Sequence, residues 1–162
     1  MINETAYATP EADLYGTDTS VRFTLDEYAM QTFPEKHWLL VDDNEDILTT
    51  LCAMFEAVTT APIECHNSPV SALAAFAAAP DKYELVVTDY DMPGMNGLAL
   101  CQALKAAAPQ LKVILATGSD FFTLKSTLHA GFDGFLNKPC RLADIIAILY
   151  AVGMFKETAC AA

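Results

Sequence analysis

The chain has 162 residues, 53% of them hydrophobic, which is enough for one domain of ordinary size with an extension. Its formal net charge of -12 opposes the phosphate attraction on which nucleic-acid binding depends, so no direct contact with nucleic acid is expected. No stretch approaches the roughly 18 uncharged residues that cross a bilayer, so we expect no membrane contact. The N-terminus lacks the basic start and apolar stretch of a secretory signal, which predicts a cytoplasmic location.

Three regions are predicted along the chain. Residues 1 to 35 are acidic and, to about Thr19, small and polar without a sustained period, so we expect a largely flexible N-terminal extension. Residues 36 to 156 should form the folded domain, and residues 157 to 162 a short C-terminal tail. Because so little chain follows the folded domain, we expect it to stand alone and to signal by contact.

The cysteines do not form a recognisable framework. They are odd in number, dispersed, and never arranged as Cys-x-x-Cys, so free thiols are predicted rather than disulfides or a zinc site. These residues are Cys52, Cys65, Cys101, Cys140 and Cys160. The histidines His37, His66 and His129 share no ligand spacing and are interpreted as surface or helix-end residues.

Short apolar runs alternate with helical stretches beyond Lys36, which predicts an α/β fold with a parallel sheet covered on both faces. Asn44 is the predicted cap of the first helix, and Ser68 with Pro69 begins the second. The strands are predicted at 38–41, 63–66, 85–88, 113–116 and 134–137. After the second helix, which ends before Pro80, further helices are predicted at 98–107, 121–130 and 141–152.

Charged side chains follow three of these strands. The first strand ends in Asp42 and Asp43, the third in Asp89, and the fifth in Lys138. An isolated Asp at a strand end is most often a helix cap or turn residue, so no single one of them identifies a site. Where the ends of these strands meet in the fold, the crowded carboxylates require a compensating cation, and oxygen ligands without His or thiolate favour Mg²⁺ or Mn²⁺. Together they predict phosphoryl chemistry.

The order of acid pair, single acid, Thr117 and Lys138-Pro139 resembles the receiver domain of two-component response regulators, over roughly residues 36 to 155. The resemblance implies the flavodoxin-like, doubly wound sheet of five parallel strands in the order 2-1-3-4-5, with five helices. In that order the first and third strands are neighbours at the topological switch point, where ligands bind. It also implies a cis peptide bond between Lys138 and Pro139.

The same resemblance assigns roles within the site. Asp89 is the expected phosphoacceptor, with Lys138 and Thr117 contacting the phosphoryl oxygens. The expected metal ligands are Asp43, Asp89 and the backbone carbonyl of Asp91, supported by Asp42. Thr117 and Phe135 are the expected switch residues. We further predict that Asp91 and Ser119 tune hydrolysis, because each lies two residues beyond a site residue.

A phosphoacceptor is a signalling protein rather than an enzyme in the usual sense. The expected phosphodonor is a histidine kinase or a histidine phosphotransfer protein. The expected surface for a downstream protein target comprises the fourth helix, fifth strand and fifth helix. On the fifth helix, Ile148, Tyr150, Ala151 and Phe155 fall outside the predicted core stripe. They predict a target or homodimer contact, or alternatively a surface covered by residues 21 to 33.

Two alternatives remain open at this point. Asp89-Tyr90-Asp91 has the Asp-x-Asp spacing of haloacid-dehalogenase-like phosphatases, although the acid pair precedes the motif here rather than following it. A receiver-fold scaffold that acts without phosphorylation is the other alternative. The complete set of site residues argues against loss of the chemistry.

Overall fold

The computed structural model describes residues 36–118 and 131–155. The predictions for the N-terminal extension, for the helix at 121–130, for Ser119 and His129, and for the C-terminal tail lie outside these residues. No helix in the described part of the chain combines the length and apolar character needed to span a membrane.

One parallel sheet organises the described residues. Its strands lie in the order β2-β1-β3-β4-β5, which confirms the predicted topology. The strands are β1 His37–Val41, β2 Ile63–His66, β3 Tyr83–Thr88, β4 Lys112–Thr117 and β5 Gly134–Asn137. Val41 pairs with Thr88 in the register of β1 and β3, so the residues that follow these two strands emerge side by side.

Four α-helices lie within the described residues: α1 Glu45–Glu56, α2 Pro69–Ala78, α3 Gly97–Ala107 and α4 Leu142–Ala151, the last being the fifth helix of the prediction. A short 3-10 helix occupies Pro80–Lys82. Asn44 caps α1 as predicted, since its side-chain oxygen accepts hydrogen bonds from the backbone N–H groups of Asp46 and Ile47. Ser68 stands at the cap position of α2, but its side chain makes no capping hydrogen bond.

The core follows from the apolar runs of the central strands, which are buried on both faces of the sheet. One layer packs α2 and α3 against β1, β3 and β4, with Phe76 and Tyr83 rings 5.8 Å apart. In another contact, Phe55 of α1 meets Trp38 of β1 edge to face, with ring centroids 6.1 Å apart. These contacts fix the helices that surround the carboxyl ends of the strands.

The last helix differs from the prediction. Ile148 and Phe155, expected to extend an exposed patch, are only 5% and 7% exposed. Ile148 fills the space beside Gly134, where an added Cβ would lie 2.7 Å from Ile148 Cδ1. Ile148 is therefore wrongly placed in the predicted patch, because Gly134 opens a core position that helical periodicity does not reveal. The alternative cover for this surface, residues 21 to 33, lies outside the described residues. Tyr150 and Ala151 remain exposed.

The cysteine prediction is also wrong in part. Cys52 of α1 and Cys65 of β2 form a disulfide, with Cα atoms 6.9 Å apart. Cys101 and Cys140 are free thiols, as predicted. The spacing of 13 residues carries no recognised motif, and the pair forms because α1 packs beside β2.

The carboxylate of Glu64 links three strands near the amino-terminal ends of β1 and β3, away from the predicted site. Glu64 of β2 accepts a hydrogen bond from the Tyr83 hydroxyl at 2.7 Å, pairs with Lys82, and lies 2.8 Å from Nδ1 of His37. Burial alone would raise the pKa of Glu64, but hydrogen bonds from Lys82, Tyr83 and His37 lower it to about 2. Burial and Glu64 in turn raise the pKa of Tyr83 to about 12.

We predict that Glu64→Gln lowers the free energy of unfolding at pH 7 by roughly 1 kcal/mol, because the charged acceptor is lost. The pKa of Glu64 is about 2 in the folded chain against an ordinary value of 4.5, so its contribution is fully present above the ordinary value and is lost as the pH falls towards 2. Urea unfolding at pH 7, 5 and 3 should show the difference between the two proteins shrinking with acid. Exposed Glu56→Gln is the control, and a difference that grows on acidification would contradict the prediction.

Candidate functional site

An ammonium group lies between two carboxylates at the carboxyl edge of the sheet. Nζ of Lys138 is 2.6 Å from Oδ2 of Asp42 and 2.6 Å from Oδ1 of Asp89. The side chains are 12%, 3% and 10% exposed, respectively, so the three charges are largely withdrawn from water. They follow β5, β1 and β3, and the structure thus brings together three of the residues that the sequence singled out.

The backbone around each carboxylate holds it in place. Oδ1 of Asp42 accepts the N–H of Asn44 at 2.9 Å, so the acid also shapes the turn that leads into α1. Oδ2 of Asp89 accepts the N–H of Asp91 at 3.0 Å, and the Asp89 N–H donates to the Val41 carbonyl at 2.9 Å. Every carboxylate oxygen of the pair therefore has at least one donor.

Lys138 is fixed by its own strand connection. Its backbone N–H donates to the Thr117 carbonyl at 2.9 Å, which extends the pairing of β4 and β5 to the site. The peptide bond between Lys138 and Pro139 is cis, as the family resemblance implied. The side chain crosses from β5 towards β1 and β3, the neighbouring strands at the switch point.

The electrostatics of the three groups are coupled. Burial raises the pKa of Asp89, and the nearby Asp42 raises it further, although Lys138 acts in the opposite direction. Burial would lower the pKa of Lys138, but its hydrogen bonds to Asp42 and Asp89 raise it. With both carboxylates ionised, the ammonium neutralises only one of them. The group keeps a net negative charge in a poorly solvated place, which favours a further cation.

A cleft of about 660 Å³ opens onto this group. Asp89, Thr117 and Lys138 line it together with Asp91 and Gly118. The remaining lining comes from α1 and from the segment after Lys138: Asp46, Ile47, Thr50, Leu51, Met54, Pro139 and Cys140. Helix α1 thus forms one wall of the cleft.

Only some of the predicted metal-binding residues lie close together in the structure. Asp42 and Asp89 lie together, whereas Asp43 and Asp91 are exposed residues in the loops that follow β1 and β3. Within residues 36–118 and 131–155, no three His, Cys, Asp or Glu side chains converge as a metal-binding group. The donor set still fits Mg²⁺ or Mn²⁺, because it consists of oxygen atoms and carries uncompensated negative charge.

The two predicted switch residues lie on adjacent strands. Thr117 ends β4 and is buried, and it pairs in register with Asn137, next to Lys138. Phe135 of β5 is half-buried, and its ring centroid lies 5.9 Å from that of Phe132. The structure thus leaves Phe135 at the boundary between core and surface.

Gly97 is a site residue that sequence analysis missed. A Cβ on Gly97 would lie 2.1 Å from the backbone oxygen of Asp89, and the Gly97 N–H donates to the Tyr90 carbonyl at 2.9 Å. Asn96 caps α3 by accepting the N–H of Ala99 at 2.9 Å. The start of α3 is thereby packed against the backbone of Asp89, and the Asn-Gly step was the available signal.

The sequence model of the response regulator receiver domain matches residues 38–150. Together with the sheet order and the Lys138 site, this match shows that the chain belongs to the response regulator receiver domain family, whose members are signalling domains. The match favours a receiver over the haloacid-dehalogenase alternative.

Similar proteins include the putative two-component response regulator ARR21 of Arabidopsis thaliana, 31% identical over 68% of this chain and 18% of that protein. The response regulator MprA of Mycobacterium ulcerans is 29% identical over 70% of this chain and 48% of that protein. The chain thus spans less than half the length of either relative.

Solved structures agree on the fold. A response regulator receiver domain protein from Clostridium thermocellum is 25% identical, with a TM-score of 0.65 over 72% of this chain and 94% of that one. A chain of the CheX-CheY-BeF3-Mg+2 complex from Borrelia burgdorferi also gives a TM-score of 0.65, over 72% of this chain and 88% of that one. Its identity is 20%, so the likeness concerns the fold alone.

We predict that Gly97→Ala destabilises the chain by about 2 kcal/mol or more, because the new methyl group would overlap a backbone oxygen that no side-chain rotation can move. Chemical unfolding measures the loss. Gly118→Ala is the matched control, since its Cβ would meet its nearest neighbour, the Lys138 carbonyl, at an ordinary 3.8 Å. Equal stability of the two variants would contradict the close packing of α3 on Asp89.

Proposed function

We propose that this protein is the phosphoacceptor of a two-component phosphorelay, with Asp89 phosphorylated in a Mg²⁺-dependent reaction by a histidine kinase or a histidine phosphotransfer protein. The observation that carries the proposal is the Lys138 ammonium held 2.6 Å from both Asp42 and Asp89 at the edge of an open cleft. Family membership supports it, since the matched residues 38–150 include Asp42, Asp89 and Lys138.

In the proposed reaction a carboxylate oxygen of Asp89 attacks the phosphorus of a phosphohistidine. The phosphorus–nitrogen bond breaks as a phosphorus–oxygen bond forms, which gives an acyl phosphate. Lys138 is within reach of the transferred group and offsets the negative charge on its oxygens. Thr117 would donate its hydroxyl to the same oxygens from the end of β4.

The metal site would be completed by residues at the cleft edge. Asp43, Asp89 and the Asp91 carbonyl would hold Mg²⁺ or Mn²⁺, with Asp42 supporting them. When bound, the cation neutralises charge shared by the carboxylates and the phosphate. The Borrelia neighbour, a complex with BeF3 and Mg²⁺, is consistent with this assignment through its shared fold.

Phosphorylation would be read out through Thr117 and Phe135. The half-buried position of Phe135 supports a switch role, because such a ring has both core and surface neighbours available.

The predicted target surface includes β5 and α4, the fifth helix of the prediction. The predicted fourth helix, at 121–130, and Ser119 lie outside the described residues. Asp91, exposed beside Asp89 in the loop, remains our proposed residue for tuning hydrolysis. A homodimer and a cytoplasmic location are part of the same proposal.

The proposal is tested by labelling the wild type and Asp89→Asn with acetyl phosphate and Mg²⁺. We expect stable acyl phosphate on the wild type and none on the variant, because the amide retains the shape but not the nucleophile. Asp81→Asn is the control, since it alters an exposed Asp in the turn before β3. Steady phosphate release without a stable product would indicate a phosphatase, and no labelling of any protein would indicate a scaffold.

We predict that Asp43→Asn weakens Mg²⁺ binding by about tenfold or more, because a charged oxygen ligand becomes neutral. Isothermal titration with Mg²⁺ measures the affinity, and chemical unfolding checks that the fold is unaltered. Asp46→Asn is a matched control three residues further on, where the exposed carboxylate lines the cleft from α1. Unchanged affinity in Asp43→Asn would remove this residue from the proposed coordination sphere.

A further inference from the structure

The disulfide lies on the helix that forms a wall of the cleft. Asp46, Ile47, Thr50, Leu51 and Met54 of α1 line the cleft. Cys52 lies on the same helix, five residues after Ile47, and is bonded to Cys65. At 100° per residue, Cys52 lies on the opposite side of the helix from the middle of the cleft-lining residues. The disulfide therefore holds α1 from the side that faces away from the cleft.

The other end of the bond lies in an edge strand. β2 is the outermost strand of the sheet beside β1, and Cys65 is exposed, whereas Cys52 is half-buried. A second groove of about 370 Å³ reaches Cys65 and contains polar groups from both sides, including Glu45 of α1 and Asn67. The Asn67 side-chain N–H donates to Glu45 at 2.9 Å. Cys65 is thus an exposed residue that lines a groove which a small thiol can enter.

Neither unpaired thiol of the described residues is as exposed as Cys65, although Cys140 lines the cleft. Cys101 is fully buried in the core and burial raises its pKa to about 11. Cys140 is half-buried, and burial followed by the nearby Asp144 raises its pKa as well. Exposure favours thiol exchange, and Cys65 is exposed, so the Cys52 and Cys65 pair is the better site for it.

We propose that Cys52 and Cys65 form a reversible redox modification site whose oxidation clamps α1 to β2 and slows the entry of a phosphodonor into the cleft. In a reducing cytoplasm disulfides are uncommon and those that exist are usually transient or redox-sensing, which favours a regulatory bond over a permanent one. The effect on phosphodonor entry and the cytoplasmic setting rest on the proposed function, whereas the clamp itself does not.

Glutathione disulfide is the oxidant class that we assign. The Cys65 thiolate attacks one of its sulfur atoms, which forms a mixed disulfide and releases one glutathione thiolate. The Cys52 thiolate then attacks Sγ of Cys65 and displaces the second glutathione. Two electrons pass from the cysteine pair to glutathione disulfide, and the two thiol protons are taken up by the two released glutathione thiolates. Excess glutathione reverses both steps.

The first test measures reversibility and the clamp without phosphorylation. The chain is equilibrated in glutathione buffers of varied ratio, its free thiols are alkylated and counted by mass spectrometry, and hydrogen exchange is followed in the α1 peptide. We expect the pair to titrate reversibly, and α1 amides to exchange at least about tenfold faster in the reduced chain, because the closed loop between the cysteines is released. The Cys52→Ser, Cys65→Ser double variant should exchange at the reduced rate in every buffer.

A cysteine pair that stays reduced in glutathione disulfide, or equal hydrogen exchange of α1 in the two states, would overturn the proposal.

The second test compares acetyl phosphate labelling of oxidised and reduced wild type. We expect slower labelling on oxidation and no redox effect in the double variant. Equal labelling rates would overturn the regulatory role. Absence of labelling in both states would count against the phosphoacceptor function, and hydrogen exchange would still decide on the clamp.

Discussion

The Lys138 ammonium is the interaction on which the rest of the site depends. Two carboxylates from neighbouring strands would repel each other in a poorly solvated place, and Lys138 allows Asp42 and Asp89 to lie together there. The lysine can do so only because β5 lies two strands from β3 in the same parallel sheet. The strand order therefore determines which charged residues meet at the site, because it determines which strand ends are neighbours.

The same arrangement leaves a net negative charge that favours the binding of a cation. One positive charge does not neutralise two carboxylates, so the group retains an attraction for a cation and for a reaction in which charge is redistributed. Burial raises the pKa of Asp89 and so works against the charged carboxylate, while the hydrogen bond from Lys138 works in its favour. Contacts with the surrounding loops hold the Asp89 backbone in place, among them the close approach of Gly97.

Local features of the fold could be predicted from the sequence, and non-local ones could not. The β2 and β5 bounds and the Asn44 cap follow from short patterns, and the structure has them as predicted. The strand order came from the family resemblance, because alternating strands and helices alone allow several orders. The burial of Ile148 depends on a glycine in a different element, and the disulfide depends on how α1 packs on β2. Neither is encoded in periodicity or spacing.

Helix α1 connects these observations. Its N-terminus is fixed to the site, since Asp42 accepts the N–H of Asn44 and Asn44 in turn caps the helix. Further along, Phe55 packs on Trp38 of β1 and Cys52 is bonded to β2. A force that shifts this helix must therefore act on the loop that carries Asp42 as well as on the cleft wall. A covalent link at Cys52 is well placed to restrain both, because a packed helix moves as a rigid element rather than residue by residue.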